Sequence, residues 1–181
     1  MADLDDKLML AVGRGDKDAM AALARRHRER VERFAFRVLG DLEAAEDVAQ
    51  ETLIRLWRSA GSYSGDGRFL PYLYKVARSR CAERARGLGI EDATPDLDPP
   101  TPVAADPTDG ADVGRALARL PRAGREVLVL SVCEGLTYAE IAEVLGLPKG
   151  TVASRKAAAL RMLRDRLSGG PEREADRDGL H

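Results

Sequence analysis

Between Leu136 and Lys156 the chain reads LTYAEIAEVLGLPKGTVASRK, an order of residues that few local folds accommodate. Tyr138, Ile141, Ala142 and Leu145 recur at helical spacing and form an apolar stripe on a short helix. Thr137 precedes that helix and Glu140 follows three residues later, the pattern of a capping box. Gly146 supplies a residue without Cβ where a helix closes in a left-handed conformation. Pro148 opens a second helix, at a position where the first turn leaves its N–H unused in any case. A small residue (Ala142), a glycine corner and an aliphatic anchor (Val152) are the parts of a helix-turn-helix. Lys149, Thr151, Ala153, Ser154, Arg155 and Lys156 are then left to face a DNA groove. A helical hairpin with a solvated basic face satisfies the same pattern, so the rest of the chain decides between the two readings.

Aromatic residues are 4% of the 181, and β-branched runs are scarce beside Ala, Leu, Arg and Glu, which predicts helices almost throughout. With 44% hydrophobic and 33% charged residues the chain has the composition of a soluble protein with a core. The net charge of −1 carries no message about nucleic acid until it is resolved along the chain. Cys81 and Cys133 have no CxxC spacing and no histidine nearby, so neither a disulfide framework nor a zinc site is expected, only buried thiols in a reducing compartment. The acidic start MADLDDK is no export signal, and no apolar run reaches membrane-spanning length. The expectation is a cytoplasmic protein without membrane insertion. Enzyme chemistry has no foothold: there is no Gly-rich phosphate loop, no metal cluster and no nucleophile–base pair. His27 and His181 lie on a basic helix and at the chain end. No cofactor is expected.

Taken in order, Leu4 to Leu39 reads as two helices divided by Gly13–Asp16, with Arg25, Arg26, Arg28, Arg30, Arg33 and Arg37 on the outer face of the second. A third helix from about Leu42 to Ser59 carries the stripe Ala45, Val48, Ala49, Leu53, Leu56 and Trp57. Acidic residues gather in its N-terminal half, where they suit the helix dipole or form a docking face for a basic partner. After the loop Ala60–Gly67, with Tyr63 as its aromatic candidate, a fourth helix interleaves Phe69, Tyr72 and Tyr74 with Arg68, Lys75, Arg78, Arg80, Arg84 and Arg86. Rings that stack bases beside cations that follow phosphates are what single-stranded nucleic acid needs, although at least one of these rings also suits a core. From Gly87 to Gly110 proline and aspartate dominate and lysine and arginine are absent, the composition of a flexible acidic linker. Beyond it Val113, Ala116, Leu117 and Leu120 form a helix. Val127, Leu128, Leu130 and Val132 read as a packed core helix rather than a strand, and Leu160, Leu163 and Leu167 extend the last helix.

AAEDVAQETLIRLWR followed by RFLPYLYKVARSR resembles region 2 of bacterial RNA polymerase sigma factors of the sigma-70 family. LPRAGREVLVLSVCEGLTYAEIAEVLGLPKGTVASR resembles region 4. Their order, the even split and the short variable linker are those of the extracytoplasmic-function group, which lacks the domain between them. The resemblance runs from Leu8 to Leu167 and implies an all-α protein of two small helical domains. Residues 1–86 would form the region 2 bundle, 87–111 the flexible linker, 112–168 the region 4 helix-turn-helix domain and 169–181 a disordered tail. It further implies that Asp47, Gln50, Glu51 and Trp57 face the β′ clamp helices of core RNA polymerase. Tyr63, Phe69, Tyr72, Lys75, Arg78 and Ser79 would hold the melted −10 strand. Lys149, Thr151, Ser154, Arg155 and Lys156 would read the −35 element, with neighbouring helices on the β flap, and control by an anti-sigma factor is implied as well.

The chain departs from the family pattern at Tyr72, where tryptophan is usual, at Ser79 for asparagine and at Glu83 for aspartate. Ala157, Ala158 and Leu160 stand where further basic residues are common, which implies fewer phosphate contacts and a flatter salt dependence. Two other classes compete with an alternative sigma factor that directs promoter-specific initiation. A stand-alone helix-turn-helix repressor leaves the acidic third helix and aromatic fourth helix without a role. A pure protein adaptor leaves the cationic helix faces without one.

Overall fold

The computed structural model describes residues 4–88 and 109–168, and among them there are helices and turns but no strand. Four helices, α1 (Leu4–Gly13), α2 (Lys17–Leu39), α3 (Leu42–Ser59) and α4 (Phe69–Gly87), make the first domain. The second is built from α5 (Ala111–Ala118), α6 (Arg122–Leu128), α7 (Tyr138–Leu145) and α8 (Lys149–Ser168). Most of the expected linker and the whole expected tail lie outside the described residues.

Side chains and glycines that end the helices account for their boundaries. Asp16 caps α2 by accepting from the Asp18 and Ala19 amides at 2.9 and 3.0 Å, and Asp41 caps α3 through the Ala44 amide at 2.7 Å. Between them Gly40 turns left-handed and returns its amide to the Phe36 carbonyl at 2.7 Å. At the end of α1 a Cβ on Gly13 would lie 2.7 Å from the Ala60 carbonyl oxygen. The missing side chain is what lets α1 close onto the single 3-10 turn Ala60–Ser62 and the loop behind it.

Met9, Leu23, Val31, Phe34, Val38, Val48, Leu56, Phe69, Leu73 and Tyr74 form the core of the first domain. That cluster continues without a break into Val127, Val129, Leu130, Leu136, Ile141 and Val152 of the second. The two domains therefore pack on one another, α7 against α4 and α6 against α2. The outer side of α6 meets α8 closely enough that a Cβ on Gly124 would come within 3.1 Å of Ala159 Cβ.

Some sequence expectations change here. The segment after α6 widens into a π-turn, Val129–Cys133, in which the Glu134 amide reaches back five residues to the Val129 carbonyl at 3.1 Å. The extra residue rotates the side chains at the end of this segment. Val132, expected in the core, is 66% exposed, Cys133 is exposed rather than buried, and Glu134 swings inward to 5% exposure. On α8 the inward position belongs to Ala159, while Leu160 and Leu167 stand exposed; Val113 of α5 is exposed too.

Candidate nucleic-acid interface

The helix-turn-helix is assembled as its capping residues dictate, although Tyr138, expected in the apolar stripe of α7, is 43% exposed and Val144 is buried with Ile141 and Leu145. Glu140 accepts from the Thr137 amide at 2.7 Å and Thr137 Oγ1 accepts from the Glu140 amide at 3.3 Å, closing the capping box. Gly146 adopts φ 64° and ψ 37°, and the Leu147 amide donates to the Ala142 carbonyl at 2.9 Å, which ends α7 sharply. Fully buried Ile141 and Val152 hold α8 against α7 at a fixed angle. Lys149 and Ser154 are then exposed and Thr151, Arg155 and Lys156 half-buried along the first turns of α8. Ser154 donates its hydroxyl to the Thr151 carbonyl at 3.0 Å, and Lys156 Nζ lies 5.1 Å from the Tyr138 ring centroid. The five residues expected to read the −35 element thus all lie in the first turns of α8.

In the first domain Tyr63, Phe69 and Tyr72 gather into one ring cluster. Tyr63 and Tyr72 lie 5.3 Å apart and tilted, and Tyr63 meets Phe69 edge-on at 6.5 Å. The rings are not equally available. Phe69 is 1% exposed and packs also on His27, so it supports the loop from beneath, whereas Tyr63 and Tyr72 are half-buried at the surface. Tyr74, the other ring on this helix, is wholly in the core. Tyr63 donates to Asp6 of α1, and Tyr72 shares a hydrogen bond with Ser59. Burial first, and then Asp6, push the Tyr63 phenol well above its ordinary range, so it is a donor at any physiological pH. Lys75 and Ser79 are exposed on α4 one turn apart. Arg78 turns away from them toward the second domain, its Nε 3.6 Å from Glu126.

On α3, Gln50 and Trp57 are exposed, the latter at 44%. Asp47 and Glu51 are half-buried and already engaged by Arg84 of α4, at 2.7 and 3.2 Å. These partly exposed pairs contribute little stability and leave the carboxylates accessible to another cation. Ile54, exposed between Gln50 and Trp57, extends this face with apolar surface. Helical spacing from Gln50 alone would have found Ile54.

Sequence reasoning missed a set of buried polar residues. Asp5 accepts from Arg26 Nε at 2.7 Å and pairs with His27 Nε2 at 2.9 Å, and Asp6 is fully buried beneath Tyr63. Arg125 and Glu134 are buried where the two domains meet. As letters in the chain these are ordinary surface charges, and only the tertiary fold distinguishes them. Among the described residues no group of His, Cys, Asp and Glu is placed to hold a metal, and no helix is long and apolar enough to cross a membrane.

Comparison with known proteins identifies the family of both domains. The family Sigma-70 region 2 matches residues 23–89 and the family Sigma-70, region 4 matches residues 111–163. The chain is 38% identical over 167 residues to the ECF RNA polymerase sigma factor SigE of Mycolicibacterium smegmatis, covering 85% of this chain and 65% of that protein. It is 33% identical to the RNA polymerase sigma-H factor of Pseudomonas aeruginosa, covering 83% of this chain and 87% of that one. Among solved structures, the sigma factor RpoE of Bartonella quintana, in complex with the anti-sigma factor NepR, superposes with a TM-score of 0.61. It is 25% identical and covers 78% of this chain and 91% of its own.

Proposed function

This chain belongs to the sigma-70 family, in its extracytoplasmic-function group, and we propose that its exposed surfaces divide promoter-specific initiation between them. The observation that carries the reading is the presence, in one chain and in the right order, of both matched regions, the second built as a complete helix-turn-helix. The match over residues 23–89 removes the stand-alone repressor, which has no use for that half.

The α3 face, with Gln50 and Trp57 exposed and Asp47 and Glu51 loosely held, docks on the β′ clamp helices of core RNA polymerase. The first turns of α8 enter the major groove at the −35 element. There Arg155 and Lys156 supply charge, Lys149 contacts phosphate, and Thr151 and Ser154 lie closest to the base edges. Tyr63 and Tyr72, with exposed Lys75 and Ser79 on α4, hold the melted −10 strand, and Arg78 joins them when it leaves Glu126. Melting takes a few kcal/mol for each base extruded. Stacking on an aromatic ring returns about 1–3 kcal/mol per base, so two accessible tyrosines are on the right scale to trap an open strand. Phe69, buried below them, fixes the ring positions rather than stacking a base. The chain works with core polymerase in the cytoplasm, and an anti-sigma factor is the partner expected to restrain it, as NepR partners its relative.

Run-off transcription from a genomic promoter library with core polymerase, with and without the protein, tests the reading. New start sites sharing −35 and −10 elements are expected. No new transcripts, with no co-migration with core, would overturn it.

A further inference from the structure

The loop that carries Tyr63 is held from one side by α1. Asp6, Leu10 and Gly13, at i, i+4 and i+7 of that helix, meet it in turn. Gly13 faces the Ala60 carbonyl oxygen, so close that a Cβ would lie 2.7 Å from it. Leu10 lies against Gly65, which turns left-handed (φ 68°) and where a Cβ would come within 2.7 Å of Leu10 Cδ1. Asp6, fully buried, accepts from the Tyr63 phenol. The neighbouring stripe of the same helix, Asp5, Met9 and Val12, faces inward. Asp5 pairs with Arg26 and His27 of α2, and Met9 and Val12 are in the core. One short helix is thereby anchored on α2 by one face and clamps the loop with the next.

Asp6 is the unusual member of this set. Its Oδ1 accepts from the phenol, while its Oδ2 is buried without a hydrogen-bond partner among the described residues. A buried carboxylate with one neutral donor does little for stability, since such a group is costly to bury unless a countercharge or further hydrogen bonds compensate it. What it does is fix a ring. Tyr63 is rooted in the loop at one end and tied to α1 at the other, with Phe69 edge-on at 6.5 Å and Tyr72 tilted at 5.3 Å. Its plane is set before any base arrives, so the freedom that a loose surface ring loses on stacking is already gone in the free chain.

α1 lies ahead of the residues 23–89 matched to Sigma-70 region 2, and none of the surfaces assigned above includes it. From the Asp6–Tyr63 juxtaposition we propose that α1 is a strut for the strand-binding loop and that Asp6 is a positioning residue, holding the Tyr63 ring in the orientation that stacks a melted base. Asp6 is 0% exposed, so it acts on the strand only through Tyr63.

This rests on the −10 assignment made for Tyr63, and the test separates the two. Holoenzyme assembled from core polymerase and the full chain is titrated with a fluorescein-labelled pool of random-core single-stranded DNA, since stacking accepts any base. Anisotropy is read as the gain over core alone. Tyr63→Ala is expected to weaken strand binding about fiftyfold. Asp6→Ala and Tyr63→Phe remove the same hydrogen bond from its two ends, and each should weaken binding about fivefold, the scale of one side chain left to be ordered. Asp6→Asn keeps an acceptor for the phenol and should stay within about twofold of wild type. Asp6→Ala combined with Tyr63→Phe should be no weaker than either alone, because the two changes break one interaction. Affinity for core polymerase should stay the same throughout.

Wild-type strand binding by Asp6→Ala would overturn the inference, and so would losses that multiply in the double variant. Equal losses in Asp6→Asn and Asp6→Ala would overturn it too, as would a parallel loss of core affinity, which marks general damage to the bundle. If Asp6→Ala does not fold, Tyr63→Phe set against Asp6→Asn decides: the first must lose binding and the second keep it. An unaffected Tyr63→Ala removes the −10 assignment and the inference with it, whereas an affected Tyr63→Ala beside an unaffected Asp6→Ala removes the inference alone.

Discussion

His27 Nε2 lies 2.9 Å from Asp5 Oδ2 in the interior of the first domain, tying α1 to α2. Burial lowers the imidazole pKa from its ordinary 6.5, and this outweighs Asp5, which acts in the opposite direction. The ring is therefore neutral in the folded chain and donates to the carboxylate from Nε2. Arg30 and Arg26 face the same ring and oppose its protonation.

Because the folded value is the lower one, the unfolded chain takes up a proton first as pH falls. Stability from this site is present above about pH 6.5 and is lost as pH drops through the folded value. Urea unfolding between pH 7.5 and 5 is expected to show this decline in the wild type. It should be visibly shallower in His27→Gln, whose amide preserves a donor to Asp5. Equal slopes would assign the decline to other groups.

Tyr63→Phe removes the phenol that Asp6 accepts from, leaving a fully buried carboxylate without that partner. A loss of about 1–3 kcal/mol in denaturant unfolding is expected. The ring itself stays, so strand stacking should be far less affected than by Tyr63→Ala. A stability change under about 0.5 kcal/mol would mean that water replaces the phenol.

Trp57 is exposed and contributes little to the core, so Trp57→Ala should leave stability within about 0.5 kcal/mol. If the α3 face docks on core polymerase as proposed, the loss of Trp57 should weaken that binding by about 2 kcal/mol or more, roughly thirtyfold. Asp47→Asn should do less, since Arg84 already takes that carboxylate. Native-gel or anisotropy titration with core polymerase ranks the two.

On α8, which we propose enters the major groove, Arg155→Ala should reduce affinity for −35 duplex DNA and lower the slope of log K against log salt by about 0.9 if one phosphate contact is lost. Lys156→Ala should do the same and also release the Tyr138 ring, a contact on the scale of 0.5–1 kcal/mol, about what exposed cation–π pairs contribute. Titrations at several salt concentrations separate the two effects. An unchanged slope in both variants would remove these residues from the phosphate-contacting set.

The helices and the helix-turn-helix were legible because their ends are written in local chemistry. Asp16, Asp41, Thr137, Gly40 and Gly146 act on amides and carbonyls within a few residues of themselves. The division of the α4 aromatics was not legible. Phe69, Leu73, Tyr74, Ala77 and Cys81 turn inward and Tyr72, Lys75 and Ser79 outward, a rotation that depends on where α2 and α7 lie. Val132 was misplaced because a π-turn adds a residue that helical periodicity does not count. The domain contact was hidden for a different reason. Its acceptors and donors are far apart in the chain, Arg125 and Val38 separated by 87 residues and Arg30 and Glu134 by 104. No local pattern marks such a pair.

The mixed character of that contact sets a rule for grafting. Arg125 seeks a main-chain oxygen, which any recipient helix of the right shape supplies whatever its sequence. Glu134 seeks a tyrosine hydroxyl and a guanidinium, which it does not find by default. A hybrid that carries residues 111–168 onto a foreign first domain therefore inherits a buried carboxylate in search of two side chains. Transplanting Arg30 and Tyr74 along with the donated segment, or neutralising Glu134, is the smallest change that makes the two modules interchangeable.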